Sequence, residues 1–340
     1  MTSRDIVFKS LRGEDTPRPA CGPLAVHFCA VDSGVAIHDF TLNSSVHVEC
    51  IIRYHEKYQP DAVWISSDTW VTAEAMGAKV GFPNNDQPMC GHQEGFIRST
   101  ADLDKILEPD PYSQGRQPLL LEALSRVVDV LGKDVFIVGC FDQSPFSLAC
   151  QVAGMASVLT KLASDPPYLE ALMERCLDYS LAYAKAMAAC GADMLSTGDS
   201  PAGLIGPTHY ANIAAPFEKL LFSSLKKTGK ILSLHICGDS TALLKDMVST
   251  GADVLEIDHQ VSINKAWEKV DDRVALWGNI DPVSVLLQSS SQKVSSSVRG
   301  LISEVKDYGC RKFILSSGCT LAPATPSENL HAFMQESRNW

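Results

Sequence analysis

His235 and Cys237 close the apolar run in "ILSLHICGDS" (231–240), and their spacing raises a chemical question. Successive side chains on a β-strand alternate faces, so the imidazole and the thiol share one face while Leu234 and Ile236 take the other. Such a pair can bind a metal, couple a thiolate to an imidazolium, or simply pack. A third soft donor, Cys319, follows another apolar run far along the chain, in "FILSSGCTLAP". Catalytic zinc typically takes three protein ligands and keeps its fourth position for water or substrate. Two thiolates and a neutral imidazole cancel the 2+ charge, so a substrate thiolate in the fourth position leaves an electron-rich centre. That suits a zinc that lowers a thiol's pKa yet leaves the sulfur nucleophilic, as alkyl transfer to sulfur requires. A hydrolytic zinc would favour histidines and carboxylates. The rival is a Cys/His nucleophilic pair, for which no third orienting group is apparent. A second group of the same residue types, Cys90-Gly91-His92, lies in the polar loop "NNDQPMCGHQEG" and reads as solvent-exposed.

A frame must bring these positions together. Short apolar runs alternate with longer amphipathic segments: 24–31, 61–67, 134–141, 192–198, 231–237, 252–258, 273–280 and 312–318. Their nearly continuous apolar character marks strands buried on both faces, as in a parallel sheet. Between them lie helical segments such as 144–164 and "PPYLEALMERCLDYSLAYAKAMAACG", which stops at Gly191. "ATPSENLHAFMQES" offers Thr325 as N-cap, Pro326 at the first helical position and Glu328 three residues after the cap. Eight β/α units predict a single-domain (β/α)8 TIM barrel, with an N-terminal extension over 1–22 and a long insertion over 70–130. A doubly wound sheet is the alternative. In a barrel the active site lies at the C-terminal ends of the strands. His235 and Cys237 then end the fifth strand, Cys319 follows the eighth, Asp199 follows the fourth and Asp258 closes the sixth.

Composition narrows the function classes. The 340 residues are 45% hydrophobic and 20% charged, with a net charge of −11 and no long basic run. Nucleic acid and anionic membranes are therefore poor partners. The N-terminus lacks the apolar core of a signal peptide, and no stretch reaches the roughly 18 apolar residues of a membrane span. Eleven scattered cysteines fit reduced thiols and a cytoplasmic location, with Cys29, Cys140 and Cys150 read as small core residues.

At these residues the chain resembles the uroporphyrinogen decarboxylase superfamily, and within it the zinc-dependent corrinoid methyltransferase branch, over most of its length. The similar segments are "PDAVWISSDTWVTAEAMGAKVGF", "SPFSLACQVAG", "LIGPTHYANIAAPFEKLL" and "LWGNIDPVSVL". The most diagnostic are "HICGDS" and "SSGCTLAPATPSENLHAF". The resemblance implies a TIM barrel and, residue by residue, His235, Cys237 and Cys319 as zinc ligands. Tetrapyrrole decarboxylases carry an Arg-rich segment after the first strand, where this chain has "AVDSGVAIHDF" and no arginine. A substrate with many carboxylates needs fixed cations, so that activity is disfavoured.

The remaining rim residues carry paired readings. Asp68, in the superfamily's Ser-Asp position, hydrogen-bonds substrate or a zinc-ligand histidine, or caps a helix. Asp199 stabilises a ligand or orders its loop through an Asx turn. Asp258 is a displaceable fourth zinc ligand or the acceptor for the His235 ring N–H. Asn279 orders the seventh-strand loop or touches substrate or cofactor, and His209 and His259 are surface or packing histidines. The implied activity is methyl transfer between a corrinoid, carried on a separate protein, and a small zinc-activated substrate such as a thiol, whose thiolate attacks the methyl on Co(III). Reverse flow from a methoxy-aromatic or methyl halide is the close alternative, with Trp64, Trp70 and Phe82 offering an apolar wall. A non-catalytic zinc protein, its metal closed by Cys90 or His92, is the different-class alternative.

Overall fold

The computed structural model describes residues 1–91 and 95–338. Eight strands form one sheet: β1 (Ala20–Cys21), β2 (Ala62–Ile65), β3 (Phe136–Gln143), β4 (Met194–Gly198), β5 (Ile231–Ile236), β6 (Val254–Ile257), β7 (Ala275–Ile280) and β8 (Phe313–Ser317). They neighbour one another in the order β1-β8-β7-β6-β5-β4-β3-β2, every pair parallel. Intervening helices complete the (β/α)8 barrel that the spacing predicts.

β1 and β2 end the sheet, and Asp61 draws the seam between them shut. Its N–H donates to Cys21 O at 2.7 Å, its Oδ2 accepts from Cys21 N–H at 2.9 Å, and its carbonyl accepts from Phe136 N–H at 3.0 Å. Arg18 covers the same carboxylate at 2.5 and 2.6 Å, so the buried charge is paired. A Cβ at Gly22 would lie 2.7 Å from the Trp277 ring and 2.9 Å from the Ala62 Cβ, which explains glycine beside this seam.

The lower lumen is apolar. Trp64 and Trp277 meet edge to face with centroids 5.9 Å apart, beside Phe136 and Met194. Ile6 and Val7 of the helix Ser3–Arg12 close the bottom. A Thr2/Asp5 capping box starts that helix, and Arg4 ties it to Asp193 at 2.7 Å. Lower filling forces substrate chemistry to the upper end.

Several expected elements differ. The run 24–31 is not a strand: β1 is the two-residue segment Ala20–Cys21, and His27–Asp32 is a short helix. β1 thus lies within 1–22, and two residues are too few to show any alternation. The expected helix over 144–164 is two, Pro145–Ala153 and Met155–Ser164, bent by 110°. Gly154 sits at φ 83° at the break, and the Gly95 backbone crosses so closely that a Cβ there would fall 2.1 Å from the Ala153 carbonyl carbon. The last helix, Ser327–Glu336, starts after Pro326, so Thr325 is not its cap.

Residues 70–130 hold the helix Val71–Ala75, a hairpin of Val80–Gly81 with Met89–Cys90, the turn Thr100–Leu103 and the helix Gln117–Leu131. The last of these packs on Ser44–Tyr58 as part of the barrel's outer ring. No single described helix is long and apolar enough to cross a membrane.

Candidate metal centre and its cavity

β5 delivers His235 and Cys237 to the rim, and the loop after β8 brings Cys319 against them. The His235 Nε2–Cys237 Sγ distance is 3.0 Å and the Cys237 Sγ–Cys319 Sγ distance 3.8 Å. All three donor atoms lie within 4.8 Å of one another. Zinc–thiolate bonds of about 2.3 Å give a tetrahedral S···S edge of about 3.8 Å, so the two sulfurs already stand at a ligating separation. The Nδ1 of His235 is held by the Glu256 carbonyl at 2.9 Å, which fixes the ring and leaves Nε2 facing the sulfurs. The arrangement can hold a tetrahedral metal with one position open.

Electrostatics favours anionic sulfur here. Hydrogen bonds from Cys319 and His235 pull the Cys237 thiol far below its usual range, against the effect of burial, and Ser200 Oγ donates to the same sulfur at 3.1 Å. Cys319 moves up because it donates to that thiolate, with burial adding. Burial opposes charge on His235, but its bond to Cys237 and the sulfur's charge outweigh it and raise the imidazole to about 9. A divalent cation would replace these protons.

The surrounding turns exist to place the trio. Gly238, at φ 82°, ends the His-x-Cys segment, and its N–H donates to Asp258 Oδ2 at 3.0 Å. Asp258 Oδ1 accepts from Gln260 N–H at 2.9 Å and faces His259 Nδ1 at 2.9 Å. A Cβ at Gly318 would fall 2.4 Å from the His259 amide nitrogen, so glycine before Cys319 lets the two loops touch. Asn279 donates to the carbonyls of Asp258 and Val261 at 3.1 and 2.7 Å, which makes it the brace of the β6 loop.

Asp258 therefore belongs to the scaffold beside the trio. The His235 ring contact expected of it is made by the Glu256 carbonyl instead. His259, expected as a surface or packing histidine, bridges Asp258 to Asp281, the latter at 3.4 Å. Asp199 is fully buried and off the cavity wall. Its Oδ1 accepts from Ser147 N–H and Oγ at 2.9 and 2.6 Å, and its N–H donates to His235 O at 2.8 Å. Burial pushes its carboxyl up to about 6, beside Glu218, which burial and the Asp199 charge raise further. Asp199 thereby anchors the turn that carries Ser200 to the Cys237 sulfur. Cys90 lies in the hairpin outside the trio, and His92 lies outside the described residues.

Beneath the trio a cavity of about 190 Å³ opens at the barrel mouth. Of the three expected aromatic wall residues only Trp64 lines it, while Phe82 lies over the Arg116 guanidinium at 4.9 Å. Cys140, read from sequence as core, also lines it. Asp68 reaches the wall but no histidine: it accepts from Arg116 at 2.5 and 3.1 Å, from Ser67 Oγ at 2.8 Å and from Trp70 N–H at 3.0 Å. Arg116 also donates to Glu74 at 2.6 Å.

Three further polar groups escaped the sequence reading. Glu256 accepts from Ser196 and Ser233 Oγ at 2.7 and 2.5 Å within the lumen. A carboxylate inside the strand, between the flanking acids of "ADVLEID", is the available signal. Arg116, one of several basic residues in the 70–130 insertion, left none. Asp142 sits where the β3–β4 register shifts between Cys140 and Gln143, at φ 81°, a conformation rare for a residue with a side chain. Its Oδ2 accepts from Thr72 N–H at 3.1 Å. Burial, with the nearby Asp68 charge, pushes its carboxyl up to about 8.

The Asp142 shift sets a stability slope. Unfolded, the carboxyl titrates near 4, so the folded chain keeps a proton that the unfolded chain releases. Its contribution is complete below about pH 4 and is lost as pH rises to about 8. Relative to the parent, Asp142→Asn should gain melting temperature progressively from pH 5 to 8 and level off above that. Melting curves showing a difference independent of pH would refute the shifted carboxyl.

Known proteins place this barrel. A methylcobamide:CoM methyltransferase, MtbA, from Methanosarcina acetivorans is 31% identical over 284 residues, covering 82% of this chain and 80% of that protein. A uroporphyrinogen decarboxylase from Solibacter usitatus is 28% identical over 287 residues, covering 82% and 79%. The solved structure of a methyltransferase from Methanosarcina mazei superposes with a TM-score of 0.88 at 24% identity, covering 100% of this chain and 98% of that one, and shares the fold. The uroporphyrinogen decarboxylase (URO-D) family model matches residues 2–340. By that match over nearly its whole length, the chain belongs to the uroporphyrinogen decarboxylase family.

Proposed function

We propose that this chain is a zinc-dependent methyltransferase that moves a methyl group between a corrinoid, carried on a separate protein, and a small substrate bound through sulfur. The observation that carries this reading is the two-thiolate, one-imidazole trio at the C-terminal rim, with its S···S distance of 3.8 Å. Likeness to proteins named as methylcobamide:CoM methyltransferases supports it. Among the described residues that line the cavity there is no arginine or lysine, which disfavours a polycarboxylate tetrapyrrole.

His235, Cys237 and Cys319 would hold the ion. Zinc bound there supplies Lewis acidity that lowers the pKa of a substrate thiol while the thiolate-rich ligand set keeps its sulfur nucleophilic. The chain's own groups prepare the site. Glu256 O fixes the His235 tautomer, Ser200 stabilises charge on the Cys237 sulfur, and Asp258, Asp199 and Asn279 hold the three loops in register. The cavity beneath the trio receives the substrate tail and leaves the sulfur facing the barrel mouth, where a corrinoid can approach face on. The limited aromatic wall favours a small thiol over a methoxy-aromatic donor.

The direct test is an absorbance assay with zinc-loaded protein, free methylcobalamin and a panel of two-carbon thiols. Thiol- and enzyme-dependent loss of the methylcobalamin spectrum, with the thioether as product, is expected. An unchanged spectrum with every thiol would sink the thiol-acceptor direction.

A further inference from the structure

Resting on that reading, the cavity wall also reports what the rest of the substrate is. A thiol whose sulfur sits at the trio extends its tail down or across a chamber whose ionisable wall groups are Asp68, Asp142, Glu256, His27, His235 and the thiols. Asp68 is neutralised by Arg116, whose guanidinium donates to Asp68, Glu74 and Ser67 and is only 5% exposed. Among the described residues no Arg or Lys lines the wall. An anionic tail would therefore lie beside carboxyl groups in a confined space with no cation to receive it, a costly arrangement.

The wall does offer neutral hydrogen-bonding groups. His27 and Trp64, 5% and 2% exposed, line the cavity, and neither His27 Nε2 nor Trp64 Nε1 has a partner within the protein. Burial lowers the His27 imidazole, which keeps it neutral. Asp142 lines the same chamber, at a strand bulge and in a left-handed backbone conformation rare for a residue with a side chain. Its raised pKa leaves it protonated near neutrality, able both to donate and to accept. Two buried groups without partners, His27 Nε2 and Trp64 Nε1, around one small chamber that Asp142 also lines describe a receptor for a polar, uncharged tail.

We infer that this site takes a small thiol with an uncharged hydrogen-bonding tail, such as a hydroxyl, and discriminates against sulfonate- or carboxylate-bearing thiols, with Asp142, His27 and Trp64 as the specificity-determining residues. The chain thereby departs from the substrate in the name of its methylcobamide:CoM methyltransferase relatives, since coenzyme M carries a sulfonate.

The test uses full-length protein reconstituted with Co²⁺, in which Cys237 and Cys319 already give a sulfur-to-metal charge-transfer band and a third, substrate thiolate adds to it, independent of turnover. The probes are 2-mercaptoethanol, 2-mercaptoethanesulfonate and ethanethiol, which share a two-carbon thiol and differ in the tail. The expected order is 2-mercaptoethanol tightest, by at least about 10-fold over the sulfonate, because a site built to hydrogen-bond a hydroxyl rejects analogues that leave its groups unpaired. Ethanethiol should fall between or below. A sulfonate that binds as tightly as the alcohol, or more tightly, overturns this inference and leaves the methyltransferase reading standing. No addition to the band with any of the three overturns the thiol-acceptor reading and the inference with it. Asp142→Leu, with its cobalt content checked, should shrink the preference for 2-mercaptoethanol over ethanethiol to about 2-fold or less. An undiminished preference removes Asp142 from the receptor.

Discussion

Replacing Cys319 with serine is expected to strip the metal from this protein while leaving the barrel folded. The parent, reconstituted with zinc and desalted, should carry about one ion per chain, the stoichiometry of a single three-ligand site. The variant should fall well below that. Serine's hydroxyl stays protonated where the thiol ionises, so the site loses one anionic donor and the S···S edge of 3.8 Å that matches a tetrahedral ion. Methyl transfer should fall by more than the roughly 100-fold that loss of an outer partner costs a metal site. Folding should survive because other contacts define the Cys319 loop. Gly318 N–H donates to Ile280 O and Leu321 N–H to Leu24 O, both at 2.8 Å. Cys190→Ser, at a half-buried position on a peripheral helix end, serves as the control and should retain full metal. Elemental mass spectrometry beside circular dichroism reads both quantities. Normal zinc together with normal turnover in Cys319→Ser would remove the trio from the mechanism.

The sequence displays the donors of this centre and hides the groups that line its cavity, for a physical reason. A His-x-Cys pair on an apolar strand is visible because strand alternation is a local rule that needs no tertiary information. Cys319 is visible because barrels collect strand ends on one rim. The strands that carry His235 and Asn279, and the one that leads to Asp258, read clearly because burial on both faces makes them continuous apolar runs. β1 does not, since its two residues, Ala20–Cys21, pair with Ile314 and Leu315 of β8 but are too few to leave an apolar run. The same locality explains why the roles of the rim carboxylates stay paired alternatives in the sequence. Asp68, Asp199 and Asp258 are legible as rim carboxylates, but whether each meets a metal, an arginine or a backbone amide depends on chain brought in from elsewhere. Arg116 reaches Asp68 from the residue before the helix Gln117–Leu131, a long-range meeting that no local pattern gives, and Asp142 lines the cavity where β3 bulges. Specificity built from bulges and insertions leaves little trace in a one-dimensional pattern.

Removal of Arg116 should produce the largest loss of stability among single changes near the cavity. Asp68 and Arg116 are 8% and 5% exposed and joined through both guanidinium terminal nitrogens, with Glu74 on the third. Arg116→Met keeps most of the side-chain volume under Phe82 but leaves the Asp68 carboxylate buried without its cation, near Asp142. Uncompensated buried charge of this kind costs on the order of 3–5 kcal/mol. For a chain of this size that corresponds to a fall in melting temperature on the order of 5–10 °C. The double variant Arg116→Met/Asp68→Asn should recover at least half of the loss, because it deletes the stranded charge along with its partner. That recovery separates an electrostatic cause from poor packing of methionine, which Asp68→Asn would not repair. A melting temperature within about 1 °C of the parent in Arg116→Met would show that Asp68 finds water or another donor, and the paired-charge description of this wall would fall. The same variants bear on substrate choice. Arg116 already donates to two carboxylates and a hydroxyl, so its removal should not selectively weaken the binding of anionic thiols. A guanidinium so engaged holds the chamber's wall together and leaves substrate recognition to the neutral groups beside it.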